Sequence, residues 1–193
     1  MQPQSIPNVE GPAAARTGRV RSAWRAAHEP APGVSRRIQL IAYAVPLAVL
    51  PSSVWRLPIV FDTGKGVGER VYVVLLSFLS EALAFTAIGL IARWGEVFPR
   101  WIPVLRGRRV PPNAAVLPAA VGAVFLTSVF SVVSTVAQIR GTTIQGGDLP
   151  ADAPGRYTGW ESVWFHLCYT PLIVWGPLLA VLTVAYRGRR REA

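Results

Sequence analysis

The sequence predicts an all-α fold: a four-transmembrane-helix bundle that carries a disordered N-terminal cytoplasmic tail. Three observations lead there. Four apolar runs, each close to the roughly 20 residues that cover a hydrocarbon core of about 30 Å, are separated by Gly-, Pro- and Arg-rich connections. The composition is too apolar for an ordinary soluble domain, with 51% hydrophobic and only 16% charged residues in a chain of 193 and a mean hydropathy of +0.36. The basic residues behind the net charge of +10 flank the apolar runs instead of forming one face of a folded domain. That is a topological pattern, and no nucleic-acid partner is expected from it.

Cysteine usage narrows the chemistry. Cys168 is alone, so no internal disulfide, CxxC redox pair or cysteine zinc site can form. It reads as a small buried apolar residue. No metal site and no cofactor is expected.

Residues 1–37 hold six arginines and five prolines without helical or strand periodicity, and are expected to be disordered. The first apolar run begins only at Ile38, too late for a secretory signal, so the tail reads as a retained cytoplasmic extension. The 38–186 region is the transmembrane domain. Its first span, about 38–60, contains Pro46 and Pro51, which remove backbone donors and predict a kink. Near its far end Arg56 can snorkel to the interface. FDTGKGVGER then makes a turn; it lacks the GxxxxGK[ST] pattern of a phosphate loop.

The second span, about 70–92, sets Ser77, Ser80, Glu81, Ala84 and Ile88 on one face, which should point into the bundle. The third, about 114–139, has a polar seam of Thr127, Ser131, Ser134 and Gln138 extended by Ala120 and Ala123. The seam reads as hydroxyls bonding their own backbone or a neighbouring helix, with a solute path as the alternative. A Gly- and Pro-rich loop leads to the fourth span, about 161–186, with Trp160 and Trp164 at one interface and Pro171 and Pro177 inside. Residues 187–193 are a basic cytoplasmic tail.

Four spans put both termini on one side. That side holds the N-terminal tail, the Arg93–Arg109 loop and the C-terminal run, and with them 15 of the 20 basic residues. By the positive-inside rule both termini are cytoplasmic, in a bacterial cell membrane given the Arg-, Ala- and Gly-rich, nearly lysine-free composition.

Glu81 is the main functional candidate, because an ionisable group near the bilayer centre costs about 2.5–3.5 kcal/mol on insertion scales. It lies roughly 15 Å from the outer interface and His166 roughly 9 Å from it, at ~1.5 Å per residue. With Arg56 and Glu161 they form a candidate cluster. That cluster reads either as a proton-linked or ligand-binding site or as a buried pair that fixes helix register.

The loop RWGEVFPRWIPVLRGRRVPP places Trp94, Arg100, Trp101, Arg106, Arg108 and Arg109 where they can anchor in headgroups or dock a lipid or protein partner. Together with YTPLIVWGPLLAVLTVAYRGRR it resembles small multi-pass membrane proteins of actinobacteria that carry a WGE-x-x-PRW-x-P-x-L-x-GRRVP segment between two spans. The resemblance implies location and architecture over roughly 71–191 and carries no catalytic residue.

No GxSxG, HExxH or aspartate-rich diphosphate motif occurs, so an enzyme would have to rest on Glu81 and His166. The leading expectation is a structural, accessory or partner-binding membrane protein. It would contact anionic headgroups and a membrane-protein partner or a second copy. The alternative is a small oligomeric transporter or channel with Glu81 as its coupling carboxylate.

Overall fold

The computed structural model describes residues 29–97, 108–143, 147–148 and 158–192. It contains four helices long and apolar enough to cross a membrane: helix 1, Arg36–Phe61; helix 2, Val67–Leu90; helix 3, Pro112–Arg140; and helix 4, Gly159–Arg191. No strand occurs among the described residues. Residues 1–28, 98–107, 144–146, 149–157 and 193 lie outside them, and with them most of the expected N-terminal tail.

Helix 1 starts earlier than its apolar run. Ser35 caps it by accepting a bond from the Ile38 N–H at 3.4 Å, so Arg36 and Arg37, expected in the tail, form the first turn. The α-helix runs on through Pro46 and Pro51 to Arg56 and tightens to a 3-10 turn at Leu57–Phe61. Helix 2 begins after Gly66, with Glu69 in its first turn favouring the positive end of the helix dipole. It ends in a 3-10 turn, Ala87–Leu90.

Helix 3 opens with Pro112 at its first position, where no N–H is needed. It widens to a π-helical stretch, Thr127–Val133, and stops at Gly141, whose φ of 66° is the left-handed cap that glycine adopts without penalty. Helix 4 is α-helical over Gly159–Tyr169, 3-10 over Thr170–Val174 and α-helical again over Trp175–Glu192. The expected basic C-terminal tail is therefore a continuation of helix 4. Its arginines suit the negative end of the helix dipole.

Helix 2 packs on helix 1, helix 1 on helix 4, and helix 4 on helix 3; helices 2 and 3 make no extended contact. The core lies along that line, with Ala42, Val45 and Val49 of helix 1, Ala84, Ala87 and Ile88 of helix 2, and Leu172, Trp175, Leu182 and Tyr186 of helix 4. Helix 3 is the least covered. Only 11% of its most apolar stretch is buried, so most of its surface is left uncovered by the other helices.

Small residues set the closest approaches, as they must where apolar burial alone does not distinguish protein from lipid. Gly176 of helix 4 lies so near Thr127 of helix 3 that a Cβ there would collide with the Thr127 backbone. At the end of helix 2, Gly95 rests on the Gly89 carbonyl and the Trp94 ring covers Gly89.

Candidate functional site

The polar groups of the bundle fall in three places, and the first is the candidate intramembrane cluster. Ser53 donates to the Ser77 carbonyl at 3.5 Å, which fixes the antiparallel register of helices 1 and 2. In that register Glu81 lies level with Val49 and Arg56 level with Val74. Arg56 and Glu81 are then about 10 Å apart along the helix axes, at ~1.5 Å per residue.

Arg56 turns the other way. Its Nε donates to the Tyr169 hydroxyl at 3.2 Å and its Nη2 to Ser52 Oγ at 3.3 Å, with the guanidinium 5.6 Å from the centroid of the Tyr169 ring. His166 Nδ1 donates to the Ser162 carbonyl at 2.7 Å within its own helix, and the ring is exposed. Glu161 is exposed in the first turn of helix 4, where its charge complements the helix dipole. Glu81 Oε2 is buried and has no hydrogen-bond partner. No ion pair joins Arg56, Glu81, Glu161 or His166 among the described residues. The structure thus gathers Arg56, Tyr169 and Ser52 into one polar group and leaves Glu81, His166 and Glu161 apart from it.

The second place is the seam on helix 3. Pro177 has no N–H, so the Ile173 carbonyl four residues earlier loses its helical donor. Ser131 supplies the replacement from helix 3, donating to Ile173 O at 2.6 Å. Ser134 bonds back to the Val129 carbonyl at 2.9 Å, which fits the wider π-helical turn there. Thr127 sits against Gly176. Gln138, the last member, is exposed and does not face a neighbouring helix. Two of the four seam residues, Thr127 and Ser131, thus join helix 3 to helix 4, and Ser134 serves its own helix.

The interhelical bond makes a direct prediction. Ser131→Ala should lower stability in detergent by about 0.6 kcal/mol and at most about 1.7 kcal/mol, the average and the maximum measured for hydrogen bonds between membrane helices. Adding Pro177→Ala restores an N–H for Ile173 O and should recover most of the loss. Thermal unfolding of the single and double variants reads this, and an equal loss in both would refute it.

The third place is the end of the bundle where the basic segments meet. Arg189 Nη2 lies 2.7 Å from Glu96 Oε1 and donates also to the Leu90 carbonyl at 3.2 Å. The two side chains are only 15% and 20% exposed. Arg190 donates to the Val110 carbonyl at 2.8 Å, and both arginines lie over the buried Tyr186 ring.

Residues 29–35, expected in the disordered tail, join the same end. Ala31 N–H donates to Ile91 O at 2.8 Å, Arg93 N–H donates to Glu29 O at 3.3 Å, and Gly33 lies against the Arg189 side chain. Of the candidate loop residues, Arg108 and Arg109 are exposed and Trp94 is half-buried. Arg100, Trp101 and Arg106 lie outside the described residues.

Sequence reasoning singled out neither Glu96 nor the Tyr186–Arg189–Arg190 group as a site. One signal was available: Glu96 is the only acid in a loop with five arginines, and a carboxylate among guanidinium groups can form a strong charge-assisted hydrogen bond. Nothing local in the sequence points to Tyr186. Among the described residues no three His, Cys, Asp or Glu side chains come together as a metal site. Compared with family models, with curated proteins and with solved structures, the chain matches none of them.

Proposed function

We propose that this chain is a multi-pass structural or accessory protein of a bacterial cell membrane that presents its basic end as a docking surface on the cytoplasmic side. The observation that carries this reading is the tying of the basic end of helix 4, and of residues 29–35 that lead into Arg36 and Arg37, to the described ends of the arginine-rich loop. Arg189–Glu96 and Arg190 with the Val110 carbonyl hold the end of helix 4 to residues on either side of that loop, and the Ala31–Ile91 and Arg93–Glu29 backbone bonds, with an exposed Arg93–Glu29 ion pair at 3.6 Å, bring residues 29–35 alongside. Arg108, Arg109, Arg187 and Arg191 remain exposed at this end. An array of guanidinium groups suits anionic headgroups, at ~1 kcal/mol per residue near the surface, and acidic patches on a membrane-protein partner or a second copy. The polar groups inside the spans support the same reading, since Ser53, Arg56, Ser131 and Ser134 all serve the fold.

Crosslinking in native membranes tests it. The wild-type chain should recover a reproducible protein neighbour, and Arg108→Gln with Arg109→Gln should reduce that recovery several-fold while the protein stays membrane-embedded. Recovery of bulk lipid alone from both proteins would overturn the proposal. Labelling of single cysteines at positions 108 and 191, in a Cys168→Ser background, should place both on the cytoplasmic side.

A second reading has one observation in its favour, the unpartnered Glu81 Oε2 inside helix 2. Under it the protein is an oligomeric transporter or channel and Glu81 is the coupling carboxylate. Proteoliposomes would then show a pH-dependent solute flux that Glu81→Gln abolishes. Flux equal to that of empty liposomes across a broad solute panel would remove this reading.

A further inference from the structure

Because helix 2 and helix 3 diverge, a cleft of about 400 Å³ remains between them. Leu83 and Ala87 form one wall, Ala115 and Ala119 the other, and Trp175 and Leu179 of helix 4 close the floor. Trp94 stands at the basic end of the cleft. We infer that this cleft holds one acyl tail of an anionic phospholipid whose phosphate is met by Arg108 and Arg109. The inference deepens the docking proposal and rests on its placement of the basic end among lipid headgroups.

Three features select this occupant. The first is chemical. The cleft has a single hydroxyl, that of Thr86, and it is already donated to the Leu83 carbonyl at 2.6 Å. Apart from the Trp94 ring N–H, which is buried without a partner at the basic end, the lining offers a polar solute little to replace its hydration, whereas hydrocarbon gives up nothing.

The second is size. A space of about 400 Å³ lies within the range of small-ligand pockets, enough for one flexible hydrocarbon chain. The small walls keep the space open, and a larger side chain at Ala115 or Ala119 would close it.

The third is charge. The segment carrying Arg108 and Arg109 leads straight into helix 3, and Arg109 bridges back to Val97, two residues beyond Gly95 of the cleft lining. Both arginines are exposed and neither is in an ion pair among the described residues. Guanidinium groups in that position face the level at which the phosphate of a lipid with its tail in the cleft would lie.

Native mass spectrometry of the full chain in mild detergent tests this, with phosphatidylglycerol and phosphatidylcholine of identical tails offered together. The wild type should retain one phosphatidylglycerol in preference to phosphatidylcholine by roughly tenfold or more. Ala119→Phe should lower that occupancy at least about tenfold, while Val121→Phe, on the exposed side of helix 3 at 68% exposure, should not. Arg108→Gln with Arg109→Gln should leave a bound lipid but equalise the two headgroups. Glycerophosphoglycerol, which has the headgroup and no tails, should not bind.

If Ala119→Phe does not give a monodisperse protein, Ala115→Phe is read in its place. Wild-type occupancy in a cleft-filled variant, free exchange of the two lipids on the wild type, binding of the tailless headgroup, or a second copy of the chain displaced by Ala119→Phe would each overturn the inference. Protein capture in native membranes is scored separately with the cleft-filled variants. Loss of lipid with capture intact leaves both proposals standing, and capture that fails in the wild type sinks only the docking reading.

Discussion

Gly176→Ala is expected to destabilise the protein by about 3 kcal/mol, the upper end for overpacking, although it adds one methyl group to a good helix position. The added Cβ would meet the backbone N and Cα of Thr127 as well as its hydroxyl. A flexible side chain can move aside, but a helix backbone can do so only if helices 3 and 4 separate. Separation would also stretch the Ser131 bond to Ile173 O and the stacking of Phe130 on Trp175, whose ring centroids are 5.9 Å apart. Two losses would therefore accompany the collision.

Gly188→Ala is the matched control. It lies in the same helix, and its Cβ would meet nothing within 4 Å. The usual gain of replacing a helical glycine, about 0.4–1 kcal/mol, applies there. Thermal unfolding in detergent should thus move in opposite directions for the two variants. A Gly176→Ala protein as stable as wild type would show that the close helix crossing does not support the fold.

The second large effect is expected from Arg189→Ala. One guanidinium nitrogen serves both the Glu96 carboxylate and the Leu90 carbonyl, and the pair is mostly removed from solvent. Charge-assisted bonds of this kind contribute about 1.5–3 kcal/mol, below the 3–5 kcal/mol of a fully buried pair because some screening remains. The loss should be local in character. Hydrogen exchange should quicken over residues 29–35 and 91–97, which are joined by the Ala31–Ile91 and Arg93–Glu29 backbone bonds.

Glu96→Gln keeps an acceptor and should lose less than Glu96→Ala. A double-mutant cycle of Arg189→Ala with Glu96→Ala should give a coupling of about 1–3 kcal/mol. Coupling near zero, or unchanged exchange over 91–97, would mean that the basic end is not held by this pair. The docking proposal would lose its main support with it.

Four helices long and apolar enough to cross a membrane could be read from the chain because lipid imposes a length on every apolar run, and run length is a local property. The helical identity of those runs follows from the same constraint, since backbone polar groups in hydrocarbon must be satisfied within the segment. The polar contacts were harder to read. By residue count Arg56 and Glu81 fall in the same half of their spans, yet the register set by Ser53 and Ser77 separates them, and Tyr169 takes the guanidinium. Ser131 is visible as one member of a stripe, but its partner is a carbonyl freed by a proline 46 residues away along the chain. No spacing rule within one helix predicts that bond.

By itself, then, the sequence determined how many times the chain is apolar enough to cross a bilayer, and that its arginines flank those runs. Both are written in stretches of consecutive residues. Only the tertiary structure decided that helix 1 packs on both helices 2 and 4, that helix 2 meets helix 4 mainly at its 3-10 end, that helix 3 touches the bundle through helix 4, and that a cleft separates it from helix 2. It also decided that the end of helix 4 is bound to the central loop through Arg189 and Glu96. In lipid all apolar faces are nearly equivalent, so these choices depend on where a missing Cβ, a freed carbonyl or a lone carboxylate finds its match on another helix.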